Sequence, residues 1–164
     1  MYNFSFLQIK ALHSCAICYK IYKCIIVYFI IVGVIMTRKE ERQQAFAIVF
    51  EKSFKDDSLE SIINDAIEAG AYNESEYCTT AIFGVFDNIE SIDGLISANL
   101  KDWTLDRISR VALSVMRLAV YEIKYMEDIP VGASINEAVE LTKKFSTNED
   151  ASFVNGVLGT IAKA

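Results

Sequence analysis

The sequence predicts an all-α fold, a single compact domain of about six or seven helices. Three observations carry this. From Met36 onward, apolar residues recur at helical spacing through nearly every segment. One Pro and seven Gly in 164 residues leave little room for a turn-rich β fold. No run alternates apolar and polar residues as a half-buried strand would, and no internal repeat is present.

The elements follow in order. Residues 37–54 predict a first helix, with Ala45, Phe46, Val49 and Phe50 on one face. Asp56, Asp57 and Ser58 form a turn and N-cap cluster ahead of a second helix over 59–69, which Gly70 ends. Asn73 or Ser75 caps a third helix running through Phe86 and beyond. The periodicity continues over 87–100, with a break expected near Asp93-Gly94. Trp103 lies in a short connection. Residues 105–126 are apolar nearly all round, which predicts a central helix. Asp128-Ile129-Pro130 breaks the chain, and Ser134 with Glu137 reads as a capping box opening a helix to Phe145. Residues 146–150 are a polar loop before a last helix to about Ala162.

Residues 1–35 differ in kind. They hold the only His, three of the four Cys and no acidic residue. The apolar run 24–36 is too short for a membrane span, which needs about 20 residues. His13, Cys15, Cys18 and Cys24 have the spacing of a zinc site, but no turn residues surround them to build one. We therefore expect residues 1–35 to be an N-terminal extension outside the fold, with Met36 the true start and 36–164 the functional unit. A membrane-tethered or redox protein using Cys15 and Cys18 is the reading that requires Met1 as the start.

Charge and chemistry narrow the function. Lys10, Lys20 and Lys23 precede Met36, so 36–164 retains 13 basic against 22 acidic residues, a formal charge of −9. An acidic domain binds nucleic acid poorly alone, because phosphate contact depends on cation density. Any such role needs a local basic face or a basic partner. Cys78 is the only thiol after Met36, which excludes an internal disulfide there and suits a reducing cytoplasm. The absence of His after Met36, of a Gly-rich phosphate loop and of metal-spaced acids argues against an enzyme, a cofactor or a metal.

A local basic face is legible. On a wheel with Phe46 at zero, Arg38, Lys39 and Arg42 fall at about 280°, 20° and 320°, while Glu40 and Glu41 fall at about 120° and 220°. Three cations on one face form a small phosphate-contacting site. In the last helix Val154, Val157, Leu158 and Ile161 make the core stripe, and Phe153 stands about 100° away. A half-exposed Phe there can stack on an unpaired base, with Asn155 in the same turn to bond a base edge or phosphate. Arg117 and Glu122 read as structural, with Glu137 or Glu140 the expected partner of Arg117. Lys143-Lys144 reads as a solvated helix end.

Three ordered motifs then carry a resemblance: Arg117-Leu118-Ala119-Val120-Tyr121-Glu122, Ile135-Asn136-Glu137-Ala138-Val139-Glu140-Leu141 after Pro130, and Phe153-Val154-Asn155-Gly156-Val157-Leu158. With the opening pattern of Arg42, Ala45, Val49 and Phe50, the chain resembles the NusB family of bacterial transcription antitermination factors over residues 36–164, and not over 1–35. The resemblance implies a non-enzymatic helical domain that pairs with NusE, a ribosomal small-subunit protein. Together they would bind the boxA element of nascent RNA and help RNA polymerase pass terminators, notably in ribosomal RNA operons. It leaves open a homodimer of the free chain. It also implies that Phe153 contacts RNA, and that Ala112 sits where an acid meets NusE in characterised members, with Asp106 nearby to compensate. Glu40, Glu41, Ser152 and Ala112 depart from the family pattern. They support an alternative, a helical protein-interaction adaptor with weakened or lost RNA binding.

Overall fold

The computed structural model describes residues 36–100 and 103–163. The extension and its His13, Cys15, Cys18 and Cys24 lie outside the described residues. Among those described, seven α-helices and one 3-10 turn make up the regular structure: α1 Arg38–Lys52, α2 Leu59–Glu68, α3 Glu76–Asp87, α4 Ile89–Ala98, the turn Leu105–Arg107, α5 Arg110–Tyr125, α6 Val131–Phe145 and α7 Asn148–Ile161.

Local chemistry sets the helix ends. The Ser58 hydroxyl accepts from the Ser61 amide, Ser75 from Cys78, Ser109 from Ala112 and Thr147 from Asp150, each satisfying an otherwise orphaned N–H of a first turn. Gly70 closes α2 at φ 67°, a conformation that costs glycine little and other residues more.

Helix α5 is the centre and packs against α1, α3, α4, α6 and α7. Its burial extends round the helix: Ala112 and Ser114, about 200° apart, are both buried, as are Met116 and Leu118. The close seat of α3 on α5 depends on Gly84, where an added Cβ would lie 2.0 Å from the Tyr121 ring. The core is completed by Ala45 and Val49 of α1, Ile62 of α2, Ile82 and Val85 of α3, Ile92 and Ile96 of α4, and Val154, Leu158 and Ile161 of α7.

Three local expectations need correction. The break falls at Asn88, and α4 runs unbroken through Asp93-Gly94. One interior Gly costs about 1 kcal/mol, which the packing of Ile92 and Ile96 outweighs. Residues 105–109 are not part of α5, because Ile108 is extended and Ser109 caps the helix. Helix α6 starts at Val131 behind Pro130, one turn before the expected capping box. Ser134 is buried in α6, and its hydroxyl donates to Glu122 instead of capping.

Candidate nucleic-acid interface

The first turn of α1 projects Arg38 and Lys39 into solvent. The Arg38 side chain is 46% exposed, pairs with Glu41 at 3.2 Å and lies over the Tyr77 ring at 4.6 Å. The carboxyl of Glu140 on α6 is held below its ordinary range first by a hydrogen bond from Lys143 and in smaller part by the charge of Lys39. Beside them, Lys144 donates to the Gln43 side chain. Lys143 and Lys144 are exposed, as expected of a helix end.

Arg42 is the correction here. It lies on the expected side of the wheel, but that side is the one Ala45, Phe46 and Val49 bury, and the residue is only 7% exposed. Its Nε donates to Glu122 Oε1 at 2.8 Å. Glu122, 1% exposed, also accepts from the Tyr77 hydroxyl and the Ser134 hydroxyl. Burial of this guanidinium disfavours its charge, but the Glu122 carboxylate outweighs that and raises its pKa. Arg42 is therefore an internal cation joining α1 to α5, not a surface phosphate contact. The exposed basic face reduces to Arg38 and Lys39, joined by Lys143 and Lys144 across the α1/α6 seam. Arg117 is structural as expected, but its partner is Asp93 of α4, held by two bonds of 2.8 and 2.7 Å, and neither Glu137 nor Glu140.

At the other end of the fold, Phe153 is half-buried on α7, with its ring 6.2 Å from that of Trp103. Asn99, Trp103, Ser152, Phe153, Gly156 and Thr160 line a shallow groove of about 300 Å³. Trp103, in the connection before the 3-10 turn, is 55% exposed and supplies a second aromatic face. Asn155 is exposed but lies about 200° round the helix from Phe153, so it does not line this groove.

A third surface was missed from sequence. Phe46 and Phe50 of α1, and Phe54 in the turn just past its end, form with Phe145 a chain of ring contacts 5.0 to 5.7 Å apart. With Ala47 and Val111 they line an apolar groove of about 560 Å³. Phe54 is 60% and Phe145 42% exposed, and Arg110 lies over the Phe54 ring at 4.4 Å. The signal in the sequence was three Phe at a spacing that continues past the buried stripe to the helix end. Ala112, expected at a partner contact, lies in the first turn of α5, is fully buried and has no surface to offer. Asp106 is exposed on the 3-10 turn, its carboxyl held below the ordinary range by a hydrogen bond from Thr104, and it does not line the apolar groove.

Among the described residues no group of three or more His, Cys, Asp and Glu side chains could hold a metal ion. No described helix is long and apolar enough to cross a membrane. The fold and its surfaces define an all-helical binding protein, one that presents an exposed basic helix end, an aromatic groove and an apolar patch. The NusB family model matches residues 39–163. The chain is 43% identical over 130 residues to the transcription antitermination protein NusB of Acetivibrio thermocellus, covering 78% of this chain and 90% of that one. It is 39% identical over 127 residues to NusB of Listeria monocytogenes, covering 77% and 97%. Among solved structures it is similar to T. maritima NusB, with a TM-score of 0.72, 37% identity and coverage of 78% and 92%. It is also similar to a chain of the complex of antitermination factors NusB and NusE with dsRNA, with a TM-score of 0.70, 26% identity and coverage of 77% and 96%.

The chain belongs to the NusB family. It is a transcription antitermination protein and not an enzyme, as the three motifs implied.

Proposed function

We propose that this protein binds boxA RNA of nascent transcripts, notably of ribosomal RNA operons, as a heterodimer with NusE, and acts in the cytoplasm within the antitermination complex of RNA polymerase. The observation that carries this reading is the separation of an apolar partner surface from the basic helix end and the aromatic groove on one acidic domain. The apolar groove of Phe46, Phe50, Phe54 and Phe145 suits a protein partner, since exposed apolar patches mark such contacts. The exposed Arg38 and Lys39, and the groove of Phe153 and Trp103, suit RNA backbone and unpaired bases. A NusB relative bound to NusE and dsRNA supports the same partners.

The division of labour follows from charge. With −9 on residues 36–164, and Arg42 consumed by Glu122, this chain contributes few phosphate contacts. NusE docks on the apolar groove and supplies the remaining positive field. Residues 36–164 are the functional unit in this proposal, and 1–35 stand outside it, in keeping with a family match that begins at residue 39. The loss of Arg42 from the RNA face favours a second reading, an adaptor that has kept the partner surface and lost RNA. Binding of boxA and scrambled RNA by the chain with NusE separates the two: preference for boxA supports the heterodimer, and equal weak binding supports the adaptor.

A further inference from the structure

We infer that Tyr77 is the positioning residue for the Arg38 contact with RNA. This rests on the reading above that Arg38 meets RNA phosphate. Cations in a helix's first turn oppose the macrodipole, so an arginine there needs a reason to stay ordered. The structure supplies one. Tyr77 opens α3 beside the start of α1 and is only 3% exposed. Its ring lies under the Arg38 guanidinium at 4.6 Å and within 5.9 Å of that of Arg42, one turn further on. Its hydroxyl is tied to Glu122, the carboxylate that also takes the Arg42 Nε. A second contact, from the Cys78 thiol to the Glu41 carbonyl at 3.4 Å, fastens the same two helix starts together.

The geometry suits presentation to a phosphate. A guanidinium carries its donors in its plane. A ring that holds one face leaves the edge available, and Glu41 meets that edge at NH1. Burial holds the ring in place, the ring holds Arg38, and the RNA meets an arginine whose freedom has already been reduced.

The test is a double-mutant cycle in the full chain with NusE, reading affinity for boxA RNA. Tyr77→Met fills the space without a π face, and Tyr77→Phe keeps the ring while removing the bond to Glu122. Arg38→Ala and Tyr77→Met should each weaken binding about fivefold, and Arg38→Ala should cost almost nothing further in the Tyr77→Met background. Tyr77→Phe should be less stable yet retain affinity within about twofold. If the two losses multiply, or if Tyr77→Phe loses as much affinity as Tyr77→Met, the role is structural and the inference fails while the reading stands. If Arg38→Ala alone leaves affinity unchanged, the assignment of Arg38 to RNA fails and the inference with it. Should Tyr77→Met not fold, side-chain NMR of the unaltered protein decides: ring-current shifts at the Arg38 δ protons support the stack, and ordinary shifts overturn it.

Discussion

Replacing Glu122 by Gln tests the buried cluster most sharply. The carboxylate side chain is 2% exposed and its Arg42 partner 8%. It accepts from Arg42 Nε at 2.8 Å and from two neutral hydroxyls, Tyr77 and Ser134. The amide is nearly isosteric, so no cavity opens. One amide oxygen still accepts, and the Ser134 hydroxyl can turn to accept from the new NH2. What disappears is the neutralising charge beside a buried guanidinium. Breaking a buried pair in this way costs about 3–5 kcal/mol. The lower end applies because most of the hydrogen bonds survive, so about 3 kcal/mol is expected, or a Tm fall of roughly 10 °C for a domain of this size. Urea unfolding at constant m-value measures it. Arg42→Met should be costly alone, and the double variant should cost less than the two single losses together by at least about 1.5 kcal/mol. A loss below about 1 kcal/mol for Glu122→Gln, with additive behaviour in the cycle, would show that the two groups are not a coupled buried pair. It would mean that Arg42 is solvated and available to RNA after all.

Three further outcomes follow from the surfaces and from burial. Phe153→Ala should weaken boxA binding by the heterodimer about tenfold or more, the worth of one stacked base, without altering NusE affinity, as fluorescence anisotropy with labelled RNA would show. Phe54→Ser removes a ring that is 60% exposed, so it should lower NusE affinity at least tenfold in calorimetry, while unfolding shows a change within about 0.5 kcal/mol. Burial pushes the Tyr72 phenol up to about 12 and the Tyr77 phenol further in the same direction. Their folded pKa values lie above the unfolded value of about 10, so this stability is fully present below pH 10 and is lost as pH rises toward the folded pKa. Ultraviolet titration should therefore show two tyrosines ionising only as the chain unfolds in alkali.

Periodicity and capping carried most of the fold. The central place of α5 was legible because apolar residues surround it, and the ends of α2 and α3 were legible in Ser58, Ser75 and Gly70. The failures have a common physical cause, which is that local patterns do not say what lies opposite. Ser134 with Glu137 has the form of a capping box, but Glu122, twelve positions earlier, claims the Ser134 hydroxyl. Asp93-Gly94 has the form of a break, but Asp93 is held within α4 by Arg117 from α5. On the wheel Arg42, at about 320°, falls within the stripe of Ala45, Phe46 and Val49, so its inward direction was legible, whereas its partner Glu122, 80 residues away, was not. In the candidate site, Arg38, Lys39 and Phe153 were legible as exposed or half-exposed side chains. The Trp103 face and the Phe54 and Phe145 patch were not, because each depends on two elements meeting.

An acidic helical domain of this charge is expected to serve RNA only together with a basic partner. The most direct measurement is the salt dependence of boxA affinity for the full chain, alone and with NusE, for the unaltered protein and for Arg38→Gln/Lys39→Gln. Tight, boxA-selective binding is expected only with NusE, with a log–log salt slope smaller by roughly 1–2 in the variant, as two phosphate contacts would give. Equal, weak affinity for boxA and scrambled RNA with NusE present, or a slope unchanged by the variant, would contradict it.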